Sequence, residues 1–158
     1  YSGISIFKFP LLIRRLKAEL RSEIPNIQLF PGIKEVLLEL KNSGFQLGII
    51  TSNSRDNVLA SIQNNGLQDT FDFIYSGTTF GKHKVINRWL QQQKIKPEQV
   101  VYVGDEIRDI EAARKTLIKV IAVCWGFNSR SALAAHNPDF LIESPQELIE
   151  VLTNLNEL

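Results

Sequence analysis

The stretch Val100-Val101-Tyr102-Val103-Gly104-Asp105-Glu106-Ile107-Arg108-Asp109-Ile110-Glu111-Ala112-Ala113 decides how the rest of the chain is read. Its first four residues are β-branched or aromatic and stop abruptly at Gly-Asp, the pattern of a buried strand that delivers a carboxylate to a sheet edge. Asp109 follows on the first turn of the helix expected next. An Asp at a helix start is commonly a cap, and the local pattern alone weighs capping and function evenly for this pair. Two carboxylates so placed also suit a magnesium ion engaged in phosphate chemistry.

Outward from this stretch, helix and strand alternate. Leu11, Leu12, Leu16 and Leu20 recur at helical spacing between Pro10 and Pro25. Pro31-Gly32 opens a helix from Ile33 to about Lys41, which Asn42-Ser43-Gly44 closes. Strands are expected from Gln46 to Ile50, Phe73 to Tyr75, Val100 to Val103, Lys119 to Val123 and Phe140 to Ile142. Between them fall helices from Arg55 to Asn64, Lys84 to Gln93, the Asp109 helix ending near Thr116, and Ser131 to Ala135. Ser144-Pro145-Gln146-Glu147 reads as a capping box that starts a terminal helix. Strands separated by helices imply an α/β fold, a three-layer Rossmann-like parallel sheet with helices on both faces. Ligands in such sheets bind beyond the carboxyl ends of the strands, so the polar residues after each strand are the candidates for chemistry.

Composition narrows the function classes. With 158 residues and 44% hydrophobic content the chain supports one domain with a real core. A net charge of +1 with 22% charged residues argues against nucleic acid or an anionic membrane as partner. Arg14, Arg15, Lys17 and Arg21 cluster locally, and their helical spacing fits a solvated face. Cys124 is the single cysteine and can form no internal disulfide, which fits a reducing, cytoplasmic compartment. No apolar run is long enough to span a bilayer as a helix. The first residue is Tyr1 rather than Met, so a processed or truncated start is expected.

Three strand ends carry suggestive residues. After Gly48-Ile49-Ile50 come Thr51, Ser52 and Asn53, whose hydroxyls and backbone N–H groups before a helix N-terminus suit a phosphate, although the same residues serve as ordinary turns and caps. Gly81-Lys82-His83-Lys84 places a lysine where it can neutralise a phosphate oxygen and a nearby carboxylate, although most such lysines are simply solvated. Neither His83 nor His136 has a partner at metal-ligand spacing. Asp105 and Asp109 form the third. A hydroxyl, a lysine and two carboxylates thus arrive in chain order at one end of the predicted sheet.

These motifs resemble those of the haloacid dehalogenase superfamily. Thr51 after an apolar strand, Lys82 after Gly81, and Gly104-Asp105-x-x-x-Asp109-x-x-x-Ala113 look like its second, third and fourth motifs. Pro31-Gly32, Trp125-Gly126-Phe127-Asn128-Ser129, Asn137-Pro138-Asp139 and Ser144-Pro145-x-Glu147-Leu148 point to the phosphoglycolate-phosphatase-like branch. The resemblance implies a magnesium-dependent (Mg2+) phosphotransfer on a small phosphorylated substrate, through an aspartyl-phosphate. By position it makes Asp105 the metal ligand and Asp109 a support that acts through a metal-bound water or the lysine. It makes Thr51, Lys82 and Asp109 catalytic, with Thr51, Ser52, Asn53 and Lys82 binding the phosphate.

One part of the family pattern is absent. The first Asp of the chain is Asp56, so no Asp-x-Asp first motif precedes Thr51. In the family that motif ends the central strand, between the Thr51 and Asp105 strands. The expectation is therefore a sheet with a gap, residues 1–24 as the C-terminal remnant of a helical cap, residues 25–158 as the core, and no activity without an upstream nucleophile. The alternative is a non-catalytic binding or assembly module of the same fold. A receiver or nucleotide-binding domain is disfavoured because no glycine-rich phosphate loop is present.

Overall fold

The computed structural model describes residues 28–76 and 81–156; the expected helix between Pro10 and Pro25, with its apolar stripe and basic cluster, lies outside them. The first described helix is α1 (Ile33–Asn42). It is followed by β1 (Gly48–Ile50), α2 (Arg55–Asn64), β2 (Phe73–Tyr75) and α3 (Lys82–Gln93). A short 3-10 turn (Pro97–Gln99) leads to β3 (Val101–Gly104), α4 (Ile107–Thr116) and β4 (Lys119–Val123). The chain continues through α5 (Arg130–Ala134), β5 (Phe140–Ile142) and α6 (Glu147–Asn156). Among the described residues, no helix is long and apolar enough to cross a membrane.

Every strand pairing is parallel, in two ladders: β1 with β2, and β3–β4–β5 in that order. No strand among the described residues joins β1 to β3. The strands of the larger sheet differ in cover. On β4, paired on both sides, Val120 to Val123 are all buried, whereas on β3, paired on one side among the described residues, Val103 is 43% exposed. A parallel strand is normally covered on both faces.

Alternation along β4 sends side chains to opposite layers. Ile121 and Val123 pack with Val36 and Leu40 of α1 and Leu148 and Leu152 of α6. Val120 and Ala122 pack with Ile110 and Ala113 of α4 and Leu133 of α5. The smaller sheet repeats the scheme, with Ile49 toward Val58 and Ile62 of α2, and Ile50 toward Ile86, Trp89 and Leu90 of α3. Helices therefore cover both faces. Two of them reach across the ladders: α1 sends Leu37 to the α2 cluster while Val36 and Leu40 join the α6 cluster. On the opposite face, the α3 cluster takes in Phe73 and Tyr75 of β2 and Tyr102 of β3.

Local differences from the sequence reading have physical causes. β1 begins at Gly48 rather than Gln46 because Leu47 N–H bonds the Asp72 carboxylate (2.8 Å) and Asp72 N–H bonds Leu47 C=O (2.7 Å), a side chain standing in for ladder. The terminal helix begins at Glu147, and Ser144-Pro145-Gln146 form its approach. Glu147 Oε1 nevertheless accepts from Ser144 N–H (2.8 Å) and Ser144 Oγ (2.8 Å), the reach back expected of a capping box.

Candidate active site

The buried centre of the site is Asp109, only 2% exposed. A carboxylate in that setting needs partners, and it has three. Lys82 Nζ forms an ion pair with Oδ1, Tyr102 donates its phenol O–H to the same oxygen (3.3 Å), and Glu106 N–H donates to Oδ2 (3.3 Å). The last bond ties the residue before α4 to its first turn, so Asp109 both caps the helix and receives the lysine. The capping that the sequence weighed for Asp109 is therefore present, and the same side chain also pairs with the lysine. Gly104 makes the placement possible: a Cβ there would lie 2.6 Å from both Cβ and Oδ2 of Asp109.

Lys82 is the first residue of α3, two residues earlier than the helix expected from Lys84. Gly81, at φ 95, turns the chain into that helix without a side-chain cap. A cation at a helix N-terminus meets the positive end of the dipole, an unfavourable position that the buried Asp109 partner offsets. The ammonium also lies 6.0 Å from the centroid of the Tyr102 ring. Burial first, and the Asp109 charge second, push the Tyr102 phenol well above its ordinary value of 10.0, so it remains a donor.

Asp105 is fixed from a different direction. Its Oδ2 accepts Phe127 N–H (2.7 Å) and its carbonyl accepts Asn128 N–H (3.1 Å), while Asn128 Oδ1 accepts Ile107 N–H (2.9 Å). The loop after β4 thus folds over the loop after β3. Such closeness requires Gly126, where a Cβ would fall 2.1 Å from Asp105 Cβ and 2.2 Å from Oδ2. Phe127 leaves its ring 81% exposed at this rim, and Trp125 stacks on Phe30 with centroids 5.7 Å apart.

Asp105, Glu106 and Asp109 each bring one carboxylate oxygen within 4.8 Å of the others. Their existing bonds separate their roles. Glu106 is taken up by Arg108, with contacts of 2.5 Å to Oε2 and 2.6 Å to Oε1. Asp109 is taken up by Lys82, Tyr102 and the helix start. Asp105 Oδ1 has no hydrogen-bond partner among the described residues. One open carboxylate oxygen, with two further carboxylates close by, fits a hard cation such as Mg2+, which keeps several waters and takes one or two protein carboxylates.

Thr51, Ser52 and Asn53 follow β1, in the neighbouring ladder, and form a turn of their own. Thr51 N–H continues the pairing to Tyr75 C=O (2.9 Å), and Thr51 Oγ1 accepts Asn53 N–H (3.1 Å). Asn53 N–H is thereby engaged inside the turn. Ser54, rather than Ser52 or Asn53, caps α2, with Oγ accepting Asn57 N–H (3.4 Å). The structure therefore brings Lys82, Asp105 and Asp109 together at the end of β3 and places Thr51, Ser52 and Asn53 at the end of β1.

Tyr102, Gly126, Phe127 and Asn128 belong to the site without having been singled out for it in the sequence. Tyr102 reads as an ordinary strand residue. The Trp125-Gly126-Phe127-Asn128 run was visible only as a family marker, although a glycine just past a buried strand is a signal of close backbone approach.

A parallel α/β sheet with an acidic cluster and an ion-paired lysine beyond its strand ends defines the general class. The profile of the haloacid dehalogenase-like hydrolases matches residues 1–123, and the chain belongs to that family. It is 38% identical over 155 residues to a phosphoglycolate phosphatase of Synechococcus elongatus, covering 98% of this chain and 73% of that protein. It is 28% identical over 134 residues to the pyrophosphatase PpaX of Bacillus cereus, covering 82% of this chain and 62% of the relative. A haloacid dehalogenase-like family hydrolase from Streptococcus pneumoniae superposes with a TM-score of 0.84 at 28% identity, over 96% of this chain and 73% of that one.

Proposed function

We propose that the chain is the phosphate-handling core of a magnesium-dependent phosphatase for a small phosphorylated metabolite, working through an aspartyl-phosphate whose nucleophile lies upstream of Tyr1. The observation that carries this reading is the buried Lys82–Asp109 pair beside an Asp105 carboxylate that keeps one oxygen open. Lys82, oriented by Asp109, neutralises charge on the phosphoryl group and on the attacking carboxylate. Thr51 and the Ser52 N–H hydrogen-bond the phosphoryl oxygens, with Asn53 holding the Thr51 turn in shape. Asp105 is the protein ligand for the metal, and Asp109 acts on it indirectly through the lysine. Bound Mg2+ would supply Lewis-acid stabilisation of the phosphoryl oxygens. The names of the relatives, phosphoglycolate phosphatase and pyrophosphatase, support a small phosphorylated substrate.

The nucleophile belongs on a strand inserted between β1 and β3, which would complete both ladders and cover Val103. Residues 1–24 are then the end of a helical cap that shields the site. The free thiol of Cys124 fits a cytoplasmic protein. The polypeptide extended upstream of Tyr1 by its own coding sequence should hydrolyse p-nitrophenyl phosphate with Mg2+. Residues 1–158 alone should not, and Asp105→Asn in the extended protein should abolish turnover. Undiminished turnover in that variant would sink the metal assignment. Tight binding of phosphomonoesters without hydrolysis would favour a non-catalytic module.

A further inference from the structure

The proposed site uses Asp109 to orient Lys82, but one half-buried polar group beside that pair has no role yet. Tyr102 of β3 packs against the cluster that holds Ile86 and Trp89 of α3 and Ala112 of α4. A phenylalanine would satisfy that packing. The phenol oxygen instead reaches Asp109 Oδ1 at 3.3 Å, the same oxygen that holds Lys82 Nζ, while the ring lies 6.0 Å beneath the ammonium. The bond is long for a phenol donor, so the lysine takes the larger share of that oxygen. Two donors on one oxygen, with Glu106 N–H on the other, leave the carboxylate little rotational freedom.

We propose that Tyr102 is a positioning residue for Lys82: its hydroxyl locks the Asp109 carboxylate and its ring bounds the ammonium from below, so that the lysine points past the end of β3. This rests on the phosphatase reading for its catalytic consequence, though not for its geometry. Without the hydroxyl, Asp109 can rotate about its side-chain bonds and Lys82 follows it.

The test is Tyr102→Phe, which keeps the ring and removes the hydroxyl. In the extended, active protein kcat should fall about tenfold, since a hydrogen bond to a charged group carries at least that factor, while KM changes less than about twofold. Independently of activity, the hydrogen exchange rate of the Lys82 ammonium, followed by nitrogen-15 NMR, should rise severalfold in the same variant. In Asp109→Ala, adding Tyr102→Phe should change that rate no further, because the phenol acts through the carboxylate. Unchanged ammonium exchange in Tyr102→Phe overturns the proposal, as does an equal effect of the change with and without Asp109. A wild-type protein that hydrolyses nothing overturns the phosphatase reading while the exchange measurement still decides the positioning role. Should the Phe variant not fold, fluorotyrosine incorporated into the wild type serves instead. The Tyr102 fluorine resonance should then move in Lys82→Ala, and a stationary resonance overturns the proposal.

Discussion

At the carboxyl end of β3, groups from α3, from the loop before α4 and from the loop after β4 converge on two aspartates. At the carboxyl end of β1, the turn Thr51–Asn53 bonds to β2 through Thr51 N–H and closes on itself through Thr51 Oγ1. The acidic end is held by three chain segments, and the hydroxyl end includes a bond within its own turn. The difference teaches where precision is needed. A carboxylate buried beside a lysine must be held from several sides or its charge is not compensated, whereas a turn of hydroxyl and amide donors keeps its shape through short-range bonds. Since no strand joins the two ladders among the described residues, their relative placement rests on the helices that span them.

The strongest way to break this arrangement is therefore to remove the spanning contact. Trp89 of α3 packs its ring 4.7 Å from that of Phe73 on β2, in the cluster that also holds Tyr102 of β3. Trp89→Ala should cost about 3–5 kcal/mol. Urea unfolding followed by circular dichroism would measure this. If the two ladders depend on α3, the variant should also lose Lys82–Asp109 order before it loses β3–β4–β5 pairing, as judged by amide hydrogen exchange. A cost below about 1 kcal/mol would mean that the ladders hold together by other contacts.

Next in size is a change aimed at one end alone. Gly126→Ala places a methyl group 2.2 Å from Asp105 Oδ2, so either the loop after β4 or the carboxylate must shift. Overpacking of this kind costs about 1–3 kcal/mol. The Asp105 clamp should open, and Mg2+ affinity measured by calorimetry should fall about tenfold or more. The equivalent change in the other half, Ser54→Ala, removes only a helix cap and should cost about 1 kcal/mol with Mg2+ affinity unchanged.

A smaller effect belongs to the smaller ladder and depends on pH. The Asp72 carboxyl is held below its ordinary value of 3.8, first by the Lys41 ammonium and then by Leu47 N–H. A depressed carboxyl contributes stability above its unfolded value and loses it as pH falls through the folded one. Comparing the wild type with Asp72→Asn by thermal melts, the wild type should be the more stable near neutrality, and the gap should close as pH drops below about 3.8. A gap that persists at pH 2 would mean that the effect is steric rather than ionic. The group is solvent-exposed, so added salt should narrow the gap as well.

Much of the fold was legible because its signals are local. Arg55–Asn64 and Phe73–Tyr75 have the same bounds in sequence and structure, since Ser54 caps the one and Pro-free β-branched and aromatic residues fill the other. The approach of Lys82 to Asp109, with Asp105 close by, was legible from strand-end logic. What was not legible depends on contacts between distant segments. Asp72 replaces two residues of expected strand by bonding Leu47, which lies 25 positions away. Phe127 N–H reaches Asp105 across 22 positions, and Tyr102 acquires its partners only when α3 folds over β3. Residue type cannot announce a backbone donor, because every residue but proline carries one.

The helix ends offer the finest version of the comparison. α1 and α2 finish with Gly44 at φ 88 and Gly66 at φ 67, and in each the next residue's N–H returns to the helix: Phe45 to Leu40 C=O (3.1 Å) and Leu67 to Ile62 C=O (2.9 Å). α4 closes with the same return bond, Ile118 N–H to Ala113 C=O (3.1 Å), but its left-handed residue is Leu117 at φ 59. That conformation costs an L residue about 1–2 kcal/mol, whereas glycine there loses about 0.5–1 kcal/mol of chain entropy. Leu117 is 82% exposed, so its side chain contributes little burial to weigh against the strain. Leu117→Gly should therefore stabilise the protein by about 0.5 kcal/mol, read as a raised urea midpoint at unchanged slope. The change sits at the opposite end of α4 from Asp109, so the Lys82 ammonium exchange rate should not move. A lowered midpoint would mean that the exposed leucine is held by a contact strong enough to outweigh its backbone strain.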